Sequence, residues 1–368
     1  MEALGVIGIG KLGICFALNA ERKGYAVHGV DVSEEYVGQI NNKSLKSSEP
    51  LVSAYLSASK NLSTSTDLSN LIQNQFEVLF VFVATPSLPD GSYDHSQIEK
   101  ISDELIAFGE RSKTVHVVIG CTTMPTYCNT LAEKLAPYNY TVSYNPEFIA
   151  QGNIIKDQQY PDQVLIGEAN EEAGDKIQAI YEQLCENTPT FCRMDSLSAE
   201  ICKIATNCFL TTKISFANSI GDLAIQTGAD KDKILAAIGA DSRIGNKYLK
   251  YGFGFGGPCF PRDNRALGKF AAEHDYRLLI SEATDEVNKR HLAFQLEQYL
   301  KTYPEGATIA FDGVSYKKGS SLLDESQQLA LALALKKQNR NILIREQKEV
   351  INALEKIYPN LFIFEEID

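Results

Sequence analysis

No apolar run in this 368-residue chain approaches the roughly 18 residues that a membrane-spanning helix needs, so a helical membrane protein is excluded. Met1-Glu2-Ala3 leads straight into an apolar stretch, without a basic leader or a cleavage site, and is not read as a signal peptide. Basic residues are scarce, 35 Lys and Arg against 47 Asp and Glu for a net charge of −12, which excludes a broad nucleic-acid-binding face. Any phosphate must be held locally, by a loop and a helix end. Eight cysteines are present, but with no Cys-x-x-Cys pair and no interleaved His. That argues against a metal site and a disulfide scaffold and for a reducing compartment, the cytoplasm, with most of the thiols acting as small buried apolar groups. The remaining composition, 44% hydrophobic and 22% charged with 25 Gly and 12 Pro, is that of a globular protein. At roughly 150 residues per domain, the length suits two or three domains.

Leu4-Gly5-Val6-Ile7-Gly8 reads as a buried strand ending in glycine, and Gly8-Ile9-Gly10-Lys11-Leu12-Gly13 runs from it into a helical pattern that stops before Gly24. Ala26–Asp31 is a second strand closing on an acid. Strand, glycine turn, helix, strand and acid make the βαβ nucleotide unit. Val78–Ala84 and Val115–Gly120 are near-continuous runs of the kind found in parallel sheets covered on both faces, and Tyr140–Tyr144 is a further candidate. From Ser196 to Ala240 the pattern predicts one long helix, apolar on more than one stripe and so buried on several sides, between domains or at a dimer contact. A glycine cluster, Tyr251–Cys259, interrupts it. Helices resume at about 264–274 and 280–300, and strands near Thr308–Phe311, Ile342 and Leu361 close the chain. The fold class is α/β: an N-terminal Rossmann-like doubly wound parallel sheet over 1–190, a central long-helix domain over 191–300, and a small C-terminal α/β domain over 301–368.

The fingerprint residues Gly8, Gly10, Lys11, Leu12 and Gly13 are placed to turn tightly, approach a diphosphate and open a helix toward it. Asp31 is placed to accept both ribose hydroxyls of NAD and to repel the 2′-phosphate of NADP. Cys259 lies between Gly256-Gly257-Pro258 and Phe260-Pro261-Arg262-Asp263, where a thiol is approachable and Arg262 favours the thiolate. From spacing alone, packing and catalysis both remain open for it. Lys203 and Asn207 stand one helical turn apart, suited either to stabilising an alkoxide or to simple solvation.

Beyond these residues, GIGKLG, VATPS with DGSYD, CTTMP, NPEFIAQG, PDQVLIG, SAEICKIATNCFLTTKISFANS, SRIGNKYL and GFGFGGPCFPRD occur in order along most of the chain. Together they resemble the UDP-glucose/GDP-mannose dehydrogenase family, in particular its UDP-glucose branch. The resemblance implies NAD-dependent four-electron oxidation of a sugar-nucleotide C6 alcohol to a carboxylate, UDP-glucose to UDP-glucuronate. Cys259 then corresponds to the nucleophile that carries a thiohemiacetal and a thioester. Asp263 corresponds to the acid that holds a water, Lys203 and Asn207 to the pair that stabilises oxyanions, Thr122 to a hydroxyl of the same network, and Glu147 to the base of thioester hydrolysis. Thr85, Thr122, Gln151 and Arg262 correspond to cofactor contacts. Phe148, Ile149, Ala150 and Gln151, with Lys203 and Asn207, correspond to the loop and side chains that hold the sugar. Tyr248, Leu249, Lys250, Tyr251, Gly252 and Gly256 correspond to the loop over the nucleotide. Arg243 corresponds to an arginine that reaches a neighbouring subunit's substrate, and Lys317 to a substrate-binding lysine of the third domain. A nucleotide-sugar substrate and a homodimer or higher homo-oligomer are implied, with neither nucleic acid nor membrane as partner.

Several positions depart from the family pattern. Gln151 replaces a common Glu, so Glu147 is left to act alone as base. Ser33-Glu34-Glu35-Tyr36 offers no cation after the ribose acid, and Asp324 stands before Glu325-Ser326 where relatives carry Arg. With the chain ending at Asp368, the segment that relatives use for the uridine diphosphate is expected to be shortened. GDP-mannose or UDP-N-acetylhexosamine oxidation, a two-electron hydroxyacid dehydrogenase that needs no thiol, and a non-catalytic binder of NAD or a nucleotide sugar are the alternative readings.

Overall fold

Switching periodicity in the N-terminal half becomes alternating strand and helix. The computed structural model describes residues 2–74, 76–149 and 152–367. It begins with β1 (Ala3–Ile7), α1 (Lys11–Arg22), β2 (Ala26–Val30), α2 (Glu34–Asn41), α3 (Val52–Ala58), β3 (Leu62–Ser65) and α4 (Ser69–Gln73). β4 (Val78–Val81), α5 (Ser96–Ala107), β5 (Val115–Ile119), α6 (Tyr127–Leu135) and β6 (Tyr140–Tyr144) follow. α7 (Ile154–Gln159), β7 (Gln163–Gly167), α8 (Glu171–Leu184) and β8 (Thr190–Met194) complete the series. By internal packing the chain divides into two units, 1–203 and 204–368.

In the first unit the strands form one sheet in the order β3-β2-β1-β4-β5-β6-β7-β8. Its first six strands have the doubly wound dinucleotide-binding order, which reverses direction between β1 and β4. All neighbours run parallel except β6 and β7, which meet antiparallel at Tyr144 and Gly167. β1, β4 and β5 are buried along nearly their whole length because helices cover both faces. One side of the core centres on Phe16 of α1, which is fully buried with its ring 4.4 Å from that of Phe80 and 5.1 Å from that of Phe82.

α9 (Ser196–Thr227) contains the boundary between the units and is followed by α10 (Lys231–Ala240), α11 (Phe260–Glu273) and α12 (Leu279–Thr302). The end of the second unit is a parallel sheet of β9 (Thr308–Asp312), β10 (Asn341–Glu346) and β11 (Ile363–Glu366), with β10 in the middle. α13 (Gln327–Lys337) and α14 (Lys348–Ile357) connect these strands. So small a sheet borrows core: Phe253 and the α12 residues Leu292 and Leu296 pack against Phe311, Leu331, Leu335 and Ile344.

Several expectations need correction. The predicted single helix from Ser196 to Ala240 is two helices, because Gly228 adopts φ +76° and the Asp230 carboxylate accepts from the N–H groups of Asp232 and Lys233 to start α10. On the long helix, Phe209, Phe216 and Leu223, seven residues apart, are 65, 48 and 56% exposed in the single chain, which leaves the expected dimer contact open. α11 begins four residues early, at Phe260, because Pro261 sits in its first turn, where a missing N–H costs nothing. The doubly wound parallel sheet is as expected, with the single antiparallel pair β6 and β7 added to it. β3, β7 and β8 were not recognised as strands; Leu62-Ser63-Thr64-Ser65 is polar and pairs with β2 alone, as an edge strand does. The last strand is Ile363–Glu366, beyond Leu361. Among the described residues, no helix is long and apolar enough to cross a membrane.

Truncating the central aromatic tests this core directly. Phe16→Ala is expected to destabilise the first unit by about 3–5 kcal/mol, seen as a lower urea midpoint for its unfolding transition.

Candidate active site

In the first unit the glycine turn fits a dinucleotide diphosphate. Gly8 follows β1 at φ +81°, and a Cβ there would lie 2.6 Å from the Phe82 carbonyl oxygen. A Cβ on Gly13 would collide with the Gly8 carbonyl, whereas one on Gly10 would meet nothing within 4 Å. The turn is therefore closed behind and open in front. Among the described residues, no side chain caps the N-terminus of α1, where Lys11 and Leu12 stand, so its positive end suits an anion. Asp31, just past β2, accepts from the Ser33 N–H at 3.1 Å. No cation occupies 32–36 to welcome a 2′-phosphate.

The loops after β4 and β5 are joined by Thr85, whose hydroxyl donates to the Thr122 carbonyl at 2.7 Å. Beyond β6, Glu147 projects into a small cavity lined by Asn145, Phe148, Asp157, Gln158, Gln163 and Tyr181. One carboxylate oxygen of Glu147 accepts from Gln158 Nε2 at 3.2 Å and from the Tyr181 hydroxyl at 3.5 Å. Lys203 Nζ donates to the Glu147 carbonyl at 2.5 Å and stands 4.1 Å from the centre of the Phe148 ring. Burial pushes the Glu147 carboxyl up to about 7, against the pull of Gln158, Lys203 and Tyr181. Phe148 and Ile149 are half-buried. Ala150 and Gln151 lie outside the described residues.

In the second unit, Cys259 immediately precedes α11 and, among the described residues, is the one exposed cysteine. Its carbonyl accepts from the N–H of Asp263 at 2.8 Å, and the buried Asp263 carboxylate accepts from Asn207 Nδ2 at 2.6 Å. Arg262 Nε is 3.4 Å from the other oxygen of Asp263. The glycines before Cys259 are needed for space: a Cβ on Gly256 would strike the Glu325 carbonyl, and one on Gly257, at φ +83°, would strike the Tyr316 ring. Burial, then the neighbouring Cys259 and Asp324, pushes the Tyr316 phenol upward, so its proton stays on.

The 248–252 segment is tightly held. Tyr248 is half-exposed at φ +62°, while Leu249 packs into a core with Ala217 and Leu235, which leaves that residue only its backbone for a ligand. Gly252 donates to Asn218 Oδ1 at 3.0 Å, and its carbonyl accepts from His291 Nε2 at 2.7 Å. Asp222 meets His291 Nδ1 at 2.8 Å and accepts from the Tyr251 hydroxyl at 2.9 Å. Arg243 and Lys250 are exposed, Arg243 paired with Asp241 at 2.7 Å. Lys317 Nζ lies 5.7 Å from the centre of the Tyr316 ring.

Sequence reasoning missed the residues that hold these loops. Buried Glu200 accepts from the Thr123 hydroxyl and from the N–H groups of Thr126 and Cys128, all at 2.8–2.9 Å. Buried Glu49 accepts from the N–H of Gly152 at 2.8 Å and of Ile154 at 3.3 Å. The Asp222–His291 pair was also unforeseen. An acid within an otherwise apolar helical stretch was the available signal for Glu200; Glu49, in a polar loop, gave none.

Two family models match the chain. One describes the NAD binding domain of the UDP-glucose/GDP-mannose dehydrogenase family and covers residues 2–185; the other describes the central domain of that family and covers 197–290. The UDP-glucose 6-dehydrogenase of Pseudomonas aeruginosa is 30% identical over 364 residues, 95% of this chain and 79% of that protein. UDP-glucose 6-dehydrogenase YwqF of Bacillus subtilis is 31% identical over 89% of this chain and 75% of its own length. Among solved structures, a UDP-glucose dehydrogenase from Pyrobaculum islandicum superposes with a TM-score of 0.89 at 26% identity, covering all of this chain and 86% of that one.

The Glu147 carboxyl is expected to titrate near 7 by ¹³C NMR, against an ordinary value of 4.5. Raised in the fold, it contributes stability in its neutral form below 4.5 and loses that contribution as pH rises toward 7. Glu147→Gln, which stays neutral, is therefore expected to gain stability relative to the wild type between pH 4 and pH 8, measured by urea unfolding at both ends.

Proposed function

Because the chain belongs to the UDP-glucose/GDP-mannose dehydrogenase family, we propose that this NAD-dependent oxidoreductase converts UDP-glucose to UDP-glucuronate through a covalent Cys259 intermediate. The observation that carries this reading is the exposed Cys259 thiol at the start of α11, one turn from a buried Asp263 held by Asn207. Gly8, Gly10, Lys11, Leu12, Gly13 and Asp31 would hold NAD, which when bound would supply the acceptor for a hydride from the sugar carbon; Thr85, Thr122 and Arg262 are proposed further contacts, and so is Gln151.

Chemistry at the chain's own residues then runs in four stages. A water on Asp263 takes the alcohol proton as the first hydride leaves, and the product is the aldehyde. The Cys259 thiolate adds to the aldehyde carbon, giving a thiohemiacetal that keeps the aldehyde from escaping. Loss of its hydroxyl proton to the water on Asp263, and of a second hydride that a fresh NAD would accept, leaves the thioester. Glu147 takes one proton from water, whose oxygen attacks the thioester carbon; the C–S bond then breaks, releasing the Cys259 thiolate and the acid, which gives its second proton to solvent as the carboxylate. Lys203 and Asn207 stabilise the oxyanions, with Thr122 in the same network. Glu147 suits the last stage because its raised titration lets it exchange a proton near neutrality. Gln151 is a neutral amide and cannot share that duty.

Phe148, Ile149, Ala150 and Gln151 are proposed to hold the sugar, with Lys203 and Asn207. Tyr248–Gly252, Gly256 and Lys317 are proposed to hold the nucleotide. UDP-glucose is favoured over GDP-mannose and UDP-N-acetylhexosamines because relatives that match most of the chain are named for it. We also propose a NAD-binding domain over 1–190, a central domain over 191–300 and a nucleotide-sugar domain over 301–368, in a cytoplasmic enzyme. The exposed stripe of Phe209, Phe216 and Leu223 supports a homodimer, with Arg243 directed to the neighbouring subunit's substrate.

Two NADH per UDP-glucose are expected by absorbance, against one for a simple alcohol dehydrogenase and none for a binding protein. Cys259→Ser is expected to cut four-electron turnover by at least about a thousandfold; unchanged turnover overturns the covalent reading. Turnover limited by hydrolysis is expected to rise with pH through about 7, the protonated Glu147 being inactive, and that limb is expected to vanish in Glu147→Gln. For the assembly, Phe216→Glu is expected to lower the sedimentation mass toward that of a single chain.

A further inference from the structure

A carboxamide can face a carboxylate in two ways: its NH₂ attracts the charge and its carbonyl repels it. Gln158, on α7 and 3% exposed, presents Nε2 to Glu147. What selects that orientation is Asn19 on α1, 2% exposed, whose Nδ2 donates to Gln158 Oε1 at 2.9 Å. Asn19 is fixed in turn. The same Nδ2 reaches the Ile155 carbonyl at 3.4 Å, and its Oδ1 accepts from Gln159 Nε2 at 3.1 Å. Turning either buried amide over sets donor against donor or acceptor against acceptor, so one orientation satisfies the whole set.

We propose that Asn19 and Gln158 are a relay of positioning residues that aims a hydrogen-bond donor at Glu147 and so sets where the proposed hydrolytic base exchanges its proton. The relay starts on the helix that opens with the glycine turn and ends at the carboxylate, so α1 has a second task at its far end. The functional meaning of the relay rests on Glu147 acting as the base; its geometry does not. Other groups also act on Glu147: Lys203 from α9, Tyr181 from α8 and Asp157 from α7, with Cys15 of α1 and Cys185 after α8 near enough to feel its charge.

The direction of the effect separates positioning from general loosening. Removing the donor while the site stays dry leaves burial less opposed and moves Glu147 upward in pH. A merely structural loss admits water and moves it downward. The test uses the full chain without added cofactor, labelled with ¹³C at the glutamate carboxyls, the Glu147 signal being assigned by its loss in Glu147→Gln. Gln158→Met and Asn19→Leu are each expected to raise the Glu147 midpoint by about half to one pH unit. The double variant is expected to go no further than Gln158→Met alone, since Asn19 acts through Gln158.

An unmoved or lowered midpoint in both variants overturns the relay. If Gln158→Met does not fold, Asn19→Leu decides alone. The pH–turnover profile then tests the premise separately. A midpoint that moves without the rising limb of turnover upholds the relay and removes Glu147 as the base. A limb that is lost in Glu147→Gln, with a midpoint unmoved by Gln158→Met, keeps the base and overturns the relay.

Discussion

Charge taken out of water must be met by donors, and this chain turns that demand into a way of fixing loops. Glu21, Glu49, Glu200 and Glu346 are buried carboxylates, and each is satisfied chiefly by backbone N–H groups of a segment distant in sequence. Glu21 takes those of Lys60 and Asn61, and Glu346 takes those of Val314 and Ser315. An unpaired buried carboxylate costs several kcal/mol, so each loop is held wherever its acid is buried. Two of the loops fixed in this way flank candidate active-site residues: Glu200 holds the segment after Thr122, and Glu49 the segment that follows the proposed sugar loop. The reactive side chains inherit their positions from acids that have no part in the chemistry.

The same distinction explains what could be read from sequence. The βαβ unit was legible because strand, glycine turn, helix and acid lie within one short stretch, where each residue type has a local reason. Cys259 was legible because its glycine-rich surroundings are unusual, and it is the exposed cysteine among the described residues. The bond from Asn207 to Asp263 spans 56 residues, and the bond from Glu49 to Gly152 spans 103, so no local pattern announces either. The break between α9 and α10 was overlooked although Gly228 and Asp230 carried the stop and start signals. The apolar periodicity on either side is continuous enough to mask them. β3 was missed because an edge strand pairs through its backbone and needs little apolar side chain.

Gln151 leaves the proposed hydrolysis with one carboxylate in the NPEFIAQG segment, Glu147, and that role needs it ionised. Burial opposes this, and the hydrogen bonds from Gln158 and Tyr181 partly restore it. Two amides, at 19 and 158, are proposed to aim the Gln158 hydrogen bond. Neither amide stands out in the sequence, since Gln and Asn in a helix read as surface.

The junction of β6 and β7 has a mechanical consequence. Adjacent strands elsewhere in the large sheet share three to five paired residues, but these two share only Tyr144 and Gly167, at their carboxyl ends. The described residues that follow β6 and precede β7, 145–149 and 152–162, are fastened at the seam by Asn145 donating to the Leu165 carbonyl. Glu147 and Gln158 are both among them. The least stitched joint of the sheet carries the carboxylate proposed to meet water last, so breathing at that seam would wet it while the rest of the fold stayed closed.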